Sequence, residues 1–416
     1  MEQENLKIEG GGGAPVDVKR RHVILDALRG FALLGICLAN YPEFSLYSFL
    51  EEFPRQTFST AAIDTITQWW LFIFVDGKFY TIFSLLFGIG FSIILENNAR
   101  RGVNGLTIFY RRMFFLLLIG FAHLILIWSG DILMLYAIVG MILPLFLRCK
   151  DTTLLIWAFI FLAIPVIIDY ICQFCGVKLS APLHEWQWLL CDRFGITEEN
   201  FAYWLRDARD YGNMHKFLMM GAVERMQEFV DGQRYFKVLG LFLIGFWLGR
   251  NKIFAHLEEF KTVIKKISLW GLVLGLPLSA LYAWSSMNAK PFGWGTHSLF
   301  YFISVYLTSF GYIGVFCLLY LKRNDWNLWR VLAFPGRMAL TNYILQSAIG
   351  VFIFYGVGLG MGASVGLIYG EIIALTAFCF EIAFSIIWLR GFRFGPLEWI
   401  WRCLTYLRLF PIISRE

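Results

Sequence analysis

The sequence predicts an all-α polytopic integral membrane protein, a bundle of about ten transmembrane helices with both termini in the cytoplasm. Of its 416 residues, 58% are hydrophobic and only 16% are charged, whereas soluble domains carry about 25% charged residues. The apolar residues form runs of roughly 17–25 residues, the length that crosses a bilayer core. Lysine and arginine concentrate in alternate loops, as the positive-inside rule expects of cytoplasmic loops.

The apolar runs divide the chain into two transmembrane halves. We predict a flexible cytoplasmic tail (1–18), an N-terminal half (19–171), an extracytoplasmic helical loop (172–234), a C-terminal half (235–390) and a cytoplasmic interfacial C-terminus (391–416). Residues 61–75 are apolar but short, and we interpret them as an interfacial or re-entrant helix. The predicted spans are approximately 24–41, 78–96, 110–128, 132–148, 153–171, 235–250, 266–285, 298–321, 338–356 and 365–389.

The first span carries charges at one end and an amide at the other. Arg21, Asp26 and Arg29 precede or enter it, and the spacing of Asp26 and Arg29 lets helical side chains pair. Asn40 follows Arg29 by close to three turns, at about 3.6 residues per turn, so both lie on one face. A charged side chain within a membrane span indicates a functional site. The alternative is that these basic residues only set the topology and that Asp26 and Arg29 form an ion pair at the helix end.

The next spans carry few polar groups. Asp76 and Lys78 are expected at the outer mouth of the second span, as cavity-lining groups or as solvated interface charges. His123 and Asp131 lie on either side of a hairpin between the third and fourth spans. Histidine suits proton transfer at neutral pH, and Asp131 can orient it. The alternatives are a neutral interhelical histidine and a helix cap at Asp131.

The C-terminal half contains an unusually polar span. Arg337, Asn342 and Gln346 precede or lie in the ninth span, and Glu381 lies near the middle of the tenth. A carboxyl at that depth is either protonated or paired. We expect these residues to line a cavity, whereas the alternative is interhelical hydrogen bonding worth about 0.6 kcal/mol per bond.

The predicted outer loop contains Cys172, Cys175, His184 and Cys191. A zinc site needs four such ligands, but this spacing is not that of a standard finger, and we expect no metal. A disulfide in an oxidising compartment is the alternative, and the sequence leaves it open.

Several motifs together resemble the YeiB-like family of bacterial membrane proteins (domain of unknown function 418). They are 25–35 (LDALRGFALLG), 76–80 (DGKFY), 130–133 (GDIL), 336–343 (GRMALTNY) and 395–402 (GPLEWIWR). The resemblance covers nearly the whole chain and implies a multi-pass protein of the bacterial inner membrane. That family in turn looks like a branch of the transmembrane acyltransferases, which share the leading pattern matched by Arg21, Leu25, Asp26, Arg29 and Gly30.

The wider resemblance implies transfer of an acyl group from cytosolic acyl-CoA to an acceptor across the membrane. Arg21, Asp26 and Arg29 would then form the donor site. In the related O-acyltransferases a catalytic histidine stands where this chain has Asn40, and an asparagine is not a general base at neutral pH. We expect His123 with Asp131 to be the substitute base and Asn40 to hold the acceptor or the oxyanion.

Two functions remain open at this stage. The first is acyl transfer to an envelope glycan, a lipid or a small molecule, with acyl-CoA as the donor substrate. The second is transport of a small or amphipathic molecule along Glu381, Asn342 and Gln346, and the sequence leaves open whether the protein is an enzyme at all. The lipid bilayer is the partner that the apolar spans predict, and a homodimer stays open. The net charge of +6 lies in loops that set topology, so nucleic acid is not expected.

Overall fold

The computed structural model describes residues 23–413, and within that range the chain is helical, without strands. The predicted tail 1–18 and Arg21 lie outside the described residues. The helices are α1 (Val23–Phe44), α2 (Glu52–Gln56), α3 (Ala61–Phe74), α4 (Lys78–Ala99), α5 (Gly105–Leu126), α6 (Leu133–Ile142), α7 (Asp151–Cys175), α8 (Ala181–Phe194), α9 (Glu198–Asp207), α10 (Tyr211–Asp231), α11 (Arg234–Arg250), α12 (Lys261–Met287), α13 (Gly293–Lys322), α14 (Asn327–Arg337), α15 (Ala339–Phe354), α16 (Leu367–Gly391) and α17 (Pro396–Tyr406).

The helical membrane fold is confirmed, but fewer helices than predicted are long enough to span. Seven helices in the described chain qualify by length and composition, or eight if α14 and α15, which meet at 77°, form one bent span. One predicted span, 132–148, contains a much shorter helix, since α6 has 10 residues; α11 covers the predicted span 235–250 with 17 residues, the lower limit for a span. α6 passes at Leu143–Phe146 into a tighter 3₁₀ turn, where Pro144 cannot supply a backbone N–H to an α-helix.

The segment after the first span is long, apolar and broken next to Asp76 and Lys78. α3 and α4 form together a 39-residue apolar segment, Ala61–Ala99, which rises about 58 Å at ~1.5 Å per residue. It is interrupted at Gly77, whose positive φ of 74° favours glycine. Phe79 packs on Gly35 in the middle of α1, and Lys78 is fully buried. Lys78 is therefore enclosed by the bundle, whereas Asp76 is half-buried.

α1 packs against α14 through two glycines. A Cβ atom on Gly30 would lie 1.9 Å from the Leu332 carbonyl oxygen, and one on Gly336 would lie 1.9 Å from the Asp26 carbonyl oxygen. No side chain fits at either position, so the two backbones can touch only because both residues are glycine. This crossing brings the charged start of α1 beside the bend between α14 and α15.

The predicted outer loop folds into α8, α9 and α10. α10 lies over the turn between α5 and α6, where the Arg225 Nε donates to the Asp131 carbonyl oxygen at 3.0 Å. The Arg225 guanidinium also donates to the Gly130 carbonyl oxygen and pairs with Glu228. All eight cysteines are free thiols, so the alternative of a disulfide in this loop is not observed. Cys191 is buried, whereas Cys175 is exposed at the end of α7.

Candidate functional site

A cavity of about 1020 Å³ runs along the inside of the bundle. α1 forms one wall, with Arg29 and Glu43 both exposed to the cavity. These residues are separated by roughly 21 Å along the helix axis, at ~1.5 Å per residue, which compares with a hydrocarbon core of about 30 Å. The cavity therefore connects two polar ends that lie at different depths. We call them the Arg29 end and the Glu43 end.

The Arg29 end is basic. Arg29 pairs with Asp26 at 2.5 Å, so the pair predicted from their spacing is present. The Arg112 guanidinium lies 3.6 Å over the Trp401 ring, and the Trp401 indole N–H donates to the Arg112 carbonyl oxygen. The other cationic residues lining the cavity at this end are Arg100, Lys252, Arg337, Arg393 and Arg402.

Glu398 organises the same end. Its carboxylate accepts hydrogen bonds from the Leu340 and Thr341 backbone N–H groups at 2.7 and 3.0 Å and thereby caps the first turn of α15. Burial raises the pKa of Glu398, although the hydrogen bonds from Thr341 lower it. α15 starts directly after Arg337, so this cap fixes the helix that follows the predicted basic residue.

The Glu43 end carries both signs of charge. Asn40 and Glu43 are three residues apart on α1 and both line the cavity. Arg225 lines it from α10, while Arg234 and Lys237 line it from α11. Arg234 lies 3.7 Å from the Glu228 carboxylate, so an ion pair links α10 and α11 at this end.

Asp76 belongs to the cavity wall, but Lys78 does not. The Tyr282 hydroxyl donates to the Asp76 carboxylate, and Tyr282 also lines the cavity. The Lys78 ammonium points elsewhere and donates to the Phe72 carbonyl oxygen at 2.7 Å. This bond ties the end of α3 to the start of α4 across the break at Gly77.

The middle of the cavity is mostly apolar. Ile36, Phe83, Phe87 and Leu116 line it, together with Tyr136. The Tyr136 hydroxyl is satisfied within the wall by Ser84 at 2.6 Å. An elongated ligand with a charged head and an apolar or flexible tail would match this distribution of polarity.

His123 and Asp131 come together as predicted, but the pair is buried beside the cavity. The His123 Nδ1 lies 3.0 Å from the Asp131 carboxylate, and its Nε2 lies 2.9 Å from the Ser347 hydroxyl. The second Asp131 oxygen accepts from the Met134 N–H at 2.7 Å and caps α6. Both ring nitrogens are thus occupied, and neither His123 nor Asp131 is among the described residues that line the cavity.

A second buried polar cluster lies between α1, α15 and α16. The Gln346 amide donates to the Glu381 carboxylate at 3.0 Å, and the Asn342 amide donates to the Ser385 hydroxyl at 2.9 Å. Within the described chain, one Glu381 oxygen and both Glu371 oxygens have no hydrogen-bond partner. Asn342, Gln346 and Glu381 do not line the cavity, whereas Arg337 and Asp76 do.

Comparison with known proteins places these features in a family. Residues 248–408 match the model of a protein family of unknown function, DUF418. The chain is 29% identical over 420 residues to the uncharacterized protein YxaH of Bacillus subtilis. The aligned region covers 96% of this chain and 98% of YxaH. It is 30% identical over 430 residues to the uncharacterized protein YeiB of Escherichia coli, covering 95% of this chain and 99% of YeiB. The chain belongs to the YeiB-like DUF418 family.

The region that matches the DUF418 model includes α12 to α17 and hence Arg337, Arg393, Glu398 and Arg402 at the Arg29 end. The likeness to YeiB and YxaH extends over α1 as well. No group of three histidine, cysteine, aspartate or glutamate residues that could hold a metal occurs in the described part of this YeiB-like protein.

Sequence reasoning missed several residues of the site. Arg112, Arg393 and Arg402 belong to basic clusters near the ends of predicted spans and resemble topology signals, so their sequence gives no sign of a shared cavity wall. Glu43 carried a usable signal, because it follows Asn40 by one helical turn on the same face. Arg225 and Arg234 could not be assigned, since only the tertiary packing of α10 on α5 and of α11 on α4 brings them to the cavity wall.

Proposed function

We propose that this YeiB-like protein is a transmembrane acyltransferase that passes an acyl group from acyl-CoA to an acceptor. The observation that carries the proposal is the single cavity that joins a cluster of arginines to Asn40. Guanidinium groups match phosphate oxygens in a bidentate geometry, so the Arg29 end suits the phosphates of a coenzyme A donor. The apolar middle of the cavity would then hold the flexible arm and the acyl chain.

The orientation follows from the donor. Acyl-CoA is made and kept in the cytosol, so we assign the Arg29 end to the cytoplasmic face of the bacterial inner membrane. The basic loops beside that end agree with the positive-inside rule. The Glu43 end is then the acceptor side, open to an envelope glycan, a lipid or a small molecule.

Asn40 is assigned to the reacting acyl group. Its side-chain amide lies on the cavity wall roughly 16 Å above Arg29, at ~1.5 Å per residue. An amide N–H can donate to the carbonyl oxygen of a thioester as negative charge develops there. His123 and Asp131 are buried beside the cavity, and we assign them to positioning the α5–α6 turn instead of to proton transfer.

Binding of acyl-CoA to the purified full chain in detergent tests the donor site. Saturable binding of acetyl-CoA and longer acyl-CoAs is expected, weakened about tenfold or more in Arg29→Ala, since a hydrogen bond to a charged group contributes about 1.5–3 kcal/mol. The matched control is Arg330→Ala, an exposed arginine of α14 that does not line the cavity. Folded protein that binds no acyl-CoA would overturn the proposal.

A second function, transport of a small or amphipathic molecule, is favoured by one specific observation. Glu371 and Glu381 are buried on α16 with unpartnered oxygens in the described chain, a costly arrangement that suits proton-carrying groups. Flux of amphipathic fluorescent dyes through proteoliposomes tests it. Loss of flux in Glu381→Gln supports transport, and unchanged flux contradicts it.

A further inference from the structure

The acyl-transfer proposal leaves one chemical task unassigned, the removal of the acceptor's proton. Asn40 cannot accept a proton at neutral pH, and both nitrogens of His123 are engaged away from the cavity. The group that performs this task must face the cavity close to Asn40. It must also have an oxygen or nitrogen that is open to a ligand.

Glu43 meets these conditions. It follows Asn40 by one turn of α1 and shares its face, and both residues line the cavity. Among the described residues, the Glu43 carboxylate accepts no hydrogen bond and forms no ion pair. The nearby Glu228 differs in this respect, because it pairs with Arg225 and lies 3.7 Å from Arg234.

Two cations of α11 stand at the same end of the cavity. Arg234 and Lys237 are three residues apart and both line the cavity. The Lys237 ammonium lies 4.4 Å over the Tyr301 ring, and it forms no ion pair within the part of the chain that the structure describes. Arg225, in contrast, donates hydrogen bonds from all three of its guanidinium nitrogens, to the Gly130 and Asp131 carbonyl oxygens and to the Glu228 carboxylate. Arg234 lies 3.7 Å from Glu228 but donates no side-chain hydrogen bond within the described residues, so an anionic ligand group would bind Arg234 and Lys237.

We propose that Glu43 is the general base of acyl transfer and that the acceptor is an anionic hydroxyl compound, whose phosphate or carboxylate binds Arg234 and Lys237. This inference rests on the acyl-transfer function proposed above. It assigns the acceptor site to the Glu43 end, where Arg234 and Lys237 bind the anionic group of the acceptor. Asn40 donates to the thioester carbonyl oxygen, and Glu43 faces the acceptor hydroxyl.

The step balances with these groups alone. The acceptor oxygen attacks the thioester carbonyl carbon, a carbon–oxygen bond forms, and the hydroxyl proton passes to the Glu43 carboxylate. The carbon–sulfur bond then breaks, and the leaving thiolate takes a proton, which restores the Glu43 carboxylate. The products are an ester and free coenzyme A.

Thiol release from acetyl-CoA by the detergent-solubilised full chain tests the inference, with sn-glycerol 3-phosphate and glycerol as the two acceptors. Release is expected to be faster with glycerol phosphate, because only that acceptor carries a charge for Arg234 and Lys237. Glu43→Gln should lower the rate by about 100-fold or more, the usual contribution of a general base, while acetyl-CoA binding stays unchanged. Glu43→Asp should recover part of the rate.

Glu224→Gln is the matched control, because Glu224 lies on α10 near the same charges but does not line the cavity. Equal rates for the two acceptors would overturn the acceptor class, and a wild-type rate in Glu43→Gln would overturn the base. Wild-type protein that binds acetyl-CoA but releases no thiol above background with glycerol phosphate would overturn the acceptor assignment. If the acyltransferase proposal itself is wrong, acetyl-CoA will not bind at all, and this result differs from each of the outcomes above.

Discussion

At the scale of single residues, His123 illustrates how a catalytic residue type can serve a structural purpose. Its two nitrogens contact Asp131 and Ser347, and Asp131 in turn caps α6. Removing the imidazole would leave a buried carboxylate and a buried hydroxyl without this partner. A lost partner of that kind costs about 1–3 kcal/mol.

We therefore expect His123→Ala to lower the thermal midpoint of the purified protein, and His123→Gln to do so less, because glutamine can still form one of the two hydrogen bonds. Acyl-CoA binding should survive in His123→Gln. His256→Ala, at an exposed histidine, is the control and should change nothing. A stable His123→Gln protein that binds acyl-CoA but has lost all turnover would indicate that His123, and not Glu43, is the general base.

Glu224 gives a prediction for pH. Burial first, and then the carboxylates of Glu228 and Glu43, raise the pKa of Glu224 to about 7 from its ordinary value of 4.5. A carboxyl whose pKa is raised by folding stabilises the fold while it is protonated, so its contribution is lost as pH rises from about 4.5 through 7.

The wild-type thermal midpoint should accordingly fall between pH 5 and pH 8, and Glu224→Gln should remove much of that fall. Midpoints measured across this pH range for both proteins test the assignment. If the thermal midpoint of Glu224→Gln falls with pH as steeply as that of the wild type, groups other than Glu224 control this pH dependence.

At the scale of helices, the contact between α1 and α14 depends on glycine. A Cβ atom on Gly336 would lie 1.9 Å from the Asp26 carbonyl oxygen, a distance that only backbone movement could relieve. We expect Gly336→Ala to destabilise the protein by about 1–3 kcal/mol, as overpacking typically does. It should also weaken acyl-CoA binding, because the shift would move Asp26 and Arg29.

Gly391→Ala is the matched control, since a Cβ atom on Gly391 meets nothing within 4 Å. Thermal midpoints of the two variants, measured in the same detergent, provide the comparison. Equal midpoints would mean that the crossing adjusts without cost and that the close approach is not needed.

At the scale of the whole molecule, the distribution of charge along the cavity predicts the salt dependence of binding. The Arg29 end is lined by cations from α1, α5, α14 and α17 and from the segments that follow α4, α11 and α16, so a polyanionic ligand would be attracted by their combined field. Because the Debye length falls from about 10 Å at 0.1 M to about 3 Å at 1 M salt, this attraction is screened.

The dissociation constant for acetyl-CoA should therefore rise several-fold between these salt concentrations. S-acetylpantetheine, which carries the same thioester but lacks the nucleotide phosphates, should bind weakly and show little salt dependence. Salt-independent binding of acetyl-CoA would argue against a phosphate site at the Arg29 end.

The sequence predicted the architecture better than the site. Composition and the length of the apolar runs are enough to predict a helical membrane bundle, and local spacing is enough to predict the Asp26–Arg29 and His123–Asp131 pairs. The lengths of the helices were harder to predict, because an apolar run such as 132–148 does not reveal that its α-helix ends at Ile142.

The missed residues have a common physical cause. Whether Asn342 or Gln346 faces a cavity or a neighbouring helix depends on how α15 is rotated against α16, and local periodicity does not determine that rotation. Arg225 and Arg234 share the cavity wall with Glu43 only because α10 packs on α5 and α8, and α11 packs on α4 and α7. A pattern within one segment cannot encode a contact between segments so far apart.

The short α5–α6 hairpin has a consequence for biosynthesis. α6 and the 3₁₀ turn that continues it to Phe146 rise together only about 23 Å, at ~1.5 and ~2.0 Å per residue, which is short of the hydrocarbon core of about 30 Å. Its turn is held by Arg225, which is 94 residues after Asp131, and by Ser347, which is 224 residues after His123. The hairpin therefore gains its contacts with Arg225 and Ser347 only after α10 and α15 have been synthesised, late in translation of the chain.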